Sequence, residues 1–440
     1  MMHPLKEMME RRGNGEVCGI PSYCTANELA LEAILEHAGE TGEPVLIEAT
    51  ANQINQFGGY TGMRPRDFMI FIKDMADKIG LDEKQLILGG DHLGPLIWAD
   101  EPEASAMEKS RELVKLFVLA GFTKIHLDTS MNLGDDDPQA CLATEVIARR
   151  GVELYKAGME AFEELKKRKP AAMRPVFVIG SEVPIPGGAQ EAEEGISVTT
   201  PDDFEDTVCT YQRIFEENGL KEAWNDVIAV VVQPGVEFSD AQVFLYDRQQ
   251  SASLCRRLSK YPGIVFEGHS TDYQTKEALR QMVEDGIAIL KVGPALTFGL
   301  CESLFALALI ESELIPEENQ SYFMKILERV MVDNPNYWRK HYAGTEREKA
   351  FARKYSFSDR CRYYLGEKKV TDTIEKLFVN LSGVKIPINI LHRCMPIQYE
   401  KVIRGQLEVE PRKLAKDGVL HFVMDYEYAV CGMGSKEFYK

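Results

Sequence analysis

The sequence predicts an α/β protein, a (β/α)8 TIM barrel with a C-terminal helical extension. Two observations lead there. Short runs rich in β-branched and aliphatic residues stand at 16–24, 45–50, 86–92, 124–130, 176–182, 227–233, 264–269 and 287–292, with mostly helical patterns between them. Polar residues cluster where most of these runs end: Glu48, Asp91-His92, Asp128, Glu182, Gln233 and His269. In such a barrel the C-terminal strand ends build one mouth, so these side chains are expected to converge.

The elements follow in order. The leader 1–15 is polar and reads as a short helix or coil. After the first strand, Thr25 or Asn27 can cap a helix running to Ala38. Residues 51–66 then form a long polar loop, and loops of this length are uncommon unless functional. It reads as a lid or pocket wall, with Asn52 and Gln53 as substrate contacts. The third strand ends in Gly89-Gly90-Asp91-His92-Leu93-Gly94-Pro95, where paired glycines permit close backbone approach. A helix is expected at 104–120. Alternation along the fourth strand puts His126, Asp128 and Ser130 on one face. The run Asp135-Asp136-Asp137 reads as a solvated loop. The fifth strand ends at Glu182, before a rigid turn with Pro184, Pro186, Gly187 and Gly188. The last three lead to Gln233-Pro234-Gly235, to Gly268-His269-Ser270-Thr271-Asp272 and to Lys291-Val292-Gly293-Pro294. A final barrel helix is expected at 300–313. Its apolar run is closed by Glu302 and Glu311, which suits a buried face better than a membrane span. The domain reading is a barrel at 1–315 and a helical extension at 316–440, packed on the barrel or on a partner.

With 440 residues the chain can bury a whole barrel core and keep that extension. A net charge of −18 argues against a nucleic-acid scaffold or a basic membrane-binding face, although a local pocket can still be positive. The nine cysteines are scattered and form no CxxC pair, which points to reduced thiols in the cytoplasm rather than disulfides or a zinc ribbon. No glycine-rich nucleotide loop follows a strand.

The chemistry is expected at the mouth. His92, His269 and Glu182 end three different strands and together suit a divalent metal, with zinc first and manganese or nickel as alternatives. Asp91 either moves protons at a bound substrate or orients the neighbouring histidine. Asp128 either orients substrate or hydrogen-bonds a ligand. Glu48 is expected at the mouth, because an unpaired carboxylate is costly inside. His126 is expected to be a hydrogen-bonded strand histidine. Ser270, Lys291 and Gly293 lie where such barrels often hold phosphate, in the loops after the last two strands and at the following helix N-terminus. Gln233 completes the expected substrate contacts.

Long motifs in this chain resemble the GatZ/KbaZ family, the second subunit of class II tagatose-1,6-bisphosphate aldolase. They include Ile47-Glu48-Ala49-Thr50, Asn52-Gln53-Ile54-Asn55-Gln56-Phe57-Gly58-Gly59-Tyr60-Thr61-Gly62, the third-strand end, 182–188, 268–275, 290–298 and 355–364. The resemblance implies a TIM barrel related to class II ketose-bisphosphate aldolases. In those aldolases an Asp-His pair after the third strand supplies a catalytic acid and a zinc ligand, matching Asp91 and His92. A histidine after the seventh strand, matching His269, is another ligand. Their sixth-strand histidine is absent here, where Gln233-Pro234-Gly235 stands instead. The implied function is support of the activity and stability of a separate catalytic aldolase chain in galactitol or tagatose breakdown, within an oligomer. The alternative is a free-standing, metal-dependent ketohexose 4-epimerase acting on a sugar or sugar phosphate.

Overall fold

The computed structural model describes residues 2–181 and 196–431. Eight parallel strands close a barrel in sequential order: β1 (Ile20–Cys24), β2 (Val45–Thr50), β3 (Leu86–Leu93), β4 (Lys124–Leu127), β5 (Val176–Ile179), β6 (Val227–Val232), β7 (Val265–Gly268) and β8 (Ile287–Val292), with β8 pairing back to β1. A small antiparallel ribbon, Glu237–Phe238 with Val243–Phe244, follows β6. Several strands are shorter than their apolar runs. β4 stops at Leu127 and β5 at Ile179, because the chain leaves the ladder there to form the mouth.

Helix α1 (Pro4–Gly13) plugs the bottom. Its Leu5 and Met8 join Ile20, Leu46, Val178 and Ala288 in an apolar layer inside the barrel. The wall helices are α2 (Glu28–Thr41), α3 (Pro65–Ile79), α4 (Glu103–Ala120), α5 (Thr144–Arg168), α6 (Pro201–Glu217), α7 (Arg248–Leu258) and α8 (Lys276–Glu284). Local signals set their ends. Asn27 accepts the Ala30 amide at the start of α2, and Gly42 closes that helix at φ 76°. The aspartate run after β4 does structural work: Asp135 accepts the first amide of α4, and Asp136 pairs with the buried Arg150.

Beyond β8 come α9 (Pro294–Leu314), α10 (Phe323–Asp333), α11 (Glu346–Tyr355), α12 (Lys368–Ser382), α13 (Ile388–Cys394), α14 (Pro396–Ile403) and α15 (Pro411–Val430). The extension does more than cover the barrel. α15 packs against α8, α2 and β1, while α9 lies on α15. The Gly19 amide donates to the Val430 carbonyl, and Tyr426 donates to the Thr271 carbonyl. The last helix is therefore part of the barrel wall. α9 is apolar and long enough to cross a membrane, yet 61% of its most apolar window is buried within the protein, as befits a core helix.

Candidate metal centre

The barrel interior is layered. Above the apolar floor sits an ionic layer in which the fully buried Lys124 Nζ lies 2.7 Å from both Glu48 Oε1 and Glu267 Oε2. These contacts are set by charge rather than along hydrogen-bond directions. A Cβ on Gly89 would fall 2.5 Å from Glu48 Oε1, so the glycine leaves room for that carboxylate. Lys291 also pairs with Glu48 and lies 2.8 Å from Asp91 Oδ2.

Three imidazoles form the layer above. The rings of His92, His126 and His269 form a triangle with centroid separations of 5.0, 4.9 and 5.1 Å. A ligand atom from each of them, and one from Asp91, lie within 4.8 Å of one another. Consecutive residues on a strand normally face opposite sides. Here the β3–β4 register shifts between Gly90 and Leu93, and His92 adopts φ 47°. That irregularity lets Asp91 and His92 both reach the mouth.

Each imidazole has a carboxylate behind it. His92 Nδ1 lies 2.7 Å from Asp128 Oδ2, His269 Nε2 2.9 Å from Glu267 Oε1, and His126 Nδ1 2.9 Å from Asp91 Oδ1. His126 Nδ1 also lies 3.2 Å from the His92 amide. One ring nitrogen cannot both donate to Asp91 and accept from that amide. The Asp91 carboxylate accepts only, so it selects the Nδ1–H tautomer. The buried Nε2, which has no hydrogen-bond partner among the described residues, then presents a lone pair. A histidine whose far nitrogen is bound to a carboxylate is the usual form of a metal-ligating imidazole. The donor set therefore fits a metal ion.

The electrostatics suit a neutral ligand at His269 and ionised carboxylates at Asp91 and Asp128, and favour the proton at His92. Burial pushes the Asp91 carboxyl up, but Lys291 and His92 outweigh it and hold it well below the usual carboxylate range. Burial likewise opposes ionisation of Asp128, and the hydrogen bond and charge of His92 hold it down at about 2. Burial drives His269 down to about 3 despite Glu267, keeping it neutral, as a ligand must be. His92 moves the other way, because Asp91 and Asp128 outweigh its burial.

Among the residues predicted from sequence, the structure brings Asp91, His92, Asp128, His269 and Lys291 together. Glu182 lies outside the described residues. Glu48 is not at the mouth but fully buried one layer below, where two lysines compensate its charge. Asn52, Gln53, Ser270 and Gly293 line the cleft above the histidines. The Gln53 Oε1 accepts the Thr50 amide. Gln233 is turned away, its Oε1 accepting the amides of Gly235 and Val236. The helix N-terminus after β8 is also occupied: the Gly293 and Ala295 amides donate to Asp272 Oδ1. His126, expected to be only a strand histidine, stands in the cluster; its alternation with Asp128 was the available signal. Arg362 and Tyr363 from the extension also line the cleft, and Tyr363 packs edge-on to Tyr60 of the β2 loop at 4.8 Å. Neither was singled out as a site residue from sequence, where the available signal was the basic, aromatic run Arg360-Cys361-Arg362-Tyr363-Tyr364.

A family model described as D-tagatose-1,6-bisphosphate aldolase subunit GatZ/KbaZ-like matches residues 5–431. The chain belongs to this family. It is 44% identical over 424 residues to the D-tagatose-1,6-bisphosphate aldolase subunit GatZ of Salmonella agona (strain SL483), covering 96% of this chain and 98% of that protein. The GatZ subunit of Escherichia coli O1:K1 / APEC is also 44% identical, with 96% and 99% covered. A crystal structure described as a probable tagatose 6 phosphate kinase from Sinorhizobium meliloti 1021 superposes with a TM-score of 0.85 at 39% identity, over 94% of this chain and 100% of that one. The GatZ/KbaZ-like barrel thus extends to a solved relative of nearly the same length.

Proposed function

We propose that this GatZ/KbaZ-like chain is the supporting subunit of a class II D-tagatose-1,6-bisphosphate aldolase, acting in the cytoplasm beside a separate catalytic chain. The observation that carries this reading is the match along almost the whole chain to subunits of that name. Gln233, which stands where the resembled aldolases have a histidine and is turned into its own loop, agrees with a subordinate role. Co-expression with a class II catalytic chain should raise both cleavage of tagatose bisphosphate and the catalytic chain's half-life. Unchanged activity and half-life would overturn the proposal.

The intact histidine triangle favours a second reading, a ketohexose 4-epimerase active without a partner. His92, His126 and His269 would hold a divalent cation, zinc first and manganese or nickel as alternatives. Such an ion supplies Lewis-acid polarisation of a sugar oxygen. Asp128 and Glu267 hold two of the rings in place. Asp91 fixes His126 and is itself held by Lys291, which favours an orienting role over that of a general base. Incubating the purified chain with fructose, tagatose and their phosphates, with each metal in turn, separates the readings. Interconversion without a partner supports the epimerase, and its absence under all three metals removes it.

A further inference from the structure

The cleft above the histidines must accept a substrate that, on the reading above, carries a phosphoryl group, in a chain of net charge −18. The usual receptors for that group are already engaged. Lys124 is held between Glu48 and Glu267, and Lys291 between Glu48 and Asp91. The amides at the start of α9 are taken by Asp272, a carboxylate in the place where a phosphate would sit.

Arg362 is different. It lines the cleft, and no carboxylate among the described residues lies within ion-pair distance of its guanidinium. Its Nη1 donates to the carbonyls of Ser358 and Asp359, and its Nη2 donates to Tyr363 Oη at 2.9 Å. The guanidinium carbon also sits 4.5 Å from the centre of the Tyr363 ring. A guanidinium has five N–H donors. These bonds use three, so Nε–H and one Nη2–H remain without an acceptor among the described residues. The fork is thus fixed on one side by backbone and stacked on an aromatic face. That is a preorganised receptor for two oxygens of a phosphate.

We infer that Arg362, supplied by the extension rather than by the barrel strands, receives the phosphoryl end of a phosphorylated ketose whose sugar oxygens face the histidine triangle. The inference rests on the sugar-phosphate reading of the cleft. Tyr60 and Tyr363 would flank the bound group, so the β2 loop and the extension together form the anion end of the site.

The test is calorimetric titration of the purified full-length chain with D-tagatose 1,6-bisphosphate, D-tagatose and inorganic phosphate. Wild type is compared with Arg362→Gln and Arg362→Lys, each first checked for an unchanged melting temperature. Arg362→Gln should weaken the bisphosphate roughly 10- to 100-fold and leave D-tagatose unchanged. Arg362→Lys should recover part of the loss, since a point charge cannot make the two-pronged contact. A bisphosphate affinity unchanged in Arg362→Gln, or an equal loss for both sugars, would overturn the inference. Phosphate binding that depends on Arg362, in a wild type that binds neither sugar, would uphold the anion site and reject the ketose. No binding of any of the three would reject both.

Discussion

His92 Nδ1 donates to Asp128 Oδ2 at 2.7 Å, so the ring ending β3 is aimed by a residue just past the end of β4. The remaining nitrogen, Nε2, is thereby directed into the triangle with His126 and His269. Asp128→Asn should keep the fold but lower metal affinity about 10- to 100-fold, the usual cost of losing a carboxylate behind a ligating histidine. Competition against a chromogenic chelator measures this, and a wild-type affinity in the variant would show that Asp128 does not aim the ring.

Replacing a triangle member is more severe. His126→Ala should reduce bound zinc after reconstitution to well below one equivalent, as should His92→Ala and His269→Ala. Elemental analysis reads this directly. Full occupancy in His126→Ala would return that residue to a purely hydrogen-bonding role. A wild type unable to take up zinc, manganese or nickel would do the same for all three.

Lys124 is the hinge of the buried charge layer. Lys124→Met fills a similar volume but leaves Glu48 and Glu267 without the cation between them. Removing one partner of a buried ion pair typically costs about 3–5 kcal/mol. Thermal and urea unfolding should therefore show a large drop in stability, whereas a variant as stable as wild type would mean that Lys291 alone neutralises the layer.

His37 on α2 lies 2.7 Å from Glu427 on α15 and fastens the last helix to the wall. Burial pulls the His37 pKa down, but the hydrogen bond and charge of Glu427 win and leave it raised. With a folded value above the unfolded value of about 6.5, its contribution is complete below that unfolded value. It fades as pH rises through the folded one. The stability gap between wild type and His37→Gln should thus be widest just below the unfolded value and narrow as pH rises through the folded one. A gap that grew with pH would contradict the pairing.

Removing the last helix should be decisive for folding. Deletion from Pro411 onward uncovers the seats of Leu414, Val419, Val423, Tyr426 and Val430, all buried. Each large apolar side chain contributes about 1.5–3 kcal/mol. Together they rival the roughly 5–15 kcal/mol by which a domain is stable. The truncated chain should aggregate or lose its cooperative melt. A soluble barrel with an unchanged melting temperature would show that α15 is dispensable.

The strands at 45–50 and 287–292 were legible to the residue, because strands buried on both faces write near-continuous apolar runs between turn residues. The mouth was legible through the polar residues ending those runs. The place of Glu48 was not. Its lysine partners stand on other strands, and only the closed barrel shows that a carboxylate there is compensated. Nor was the place of His126 in the cluster, since the carboxylate that fixes its tautomer lies across the β3–β4 pair. Arg362 was visible as part of a basic, aromatic run, but the folding of that run over the mouth is set by packing of α9 to α12, which periodicity does not report. The sequence pointed to a helical extension at 316–440 without saying which strand its last helix covers.

The position of α15 has a consequence for biosynthesis. β1 leaves the ribosome long before the helix that covers it. Chains emerge at about 5–20 residues per second. The roughly 390 residues between the two segments therefore take tens of seconds to make. For that interval the nascent chain carries an open seam beside its first strand. Folding of this protein cannot proceed strictly from one end to the other, and the seam is where a chaperone would find exposed apolar surface.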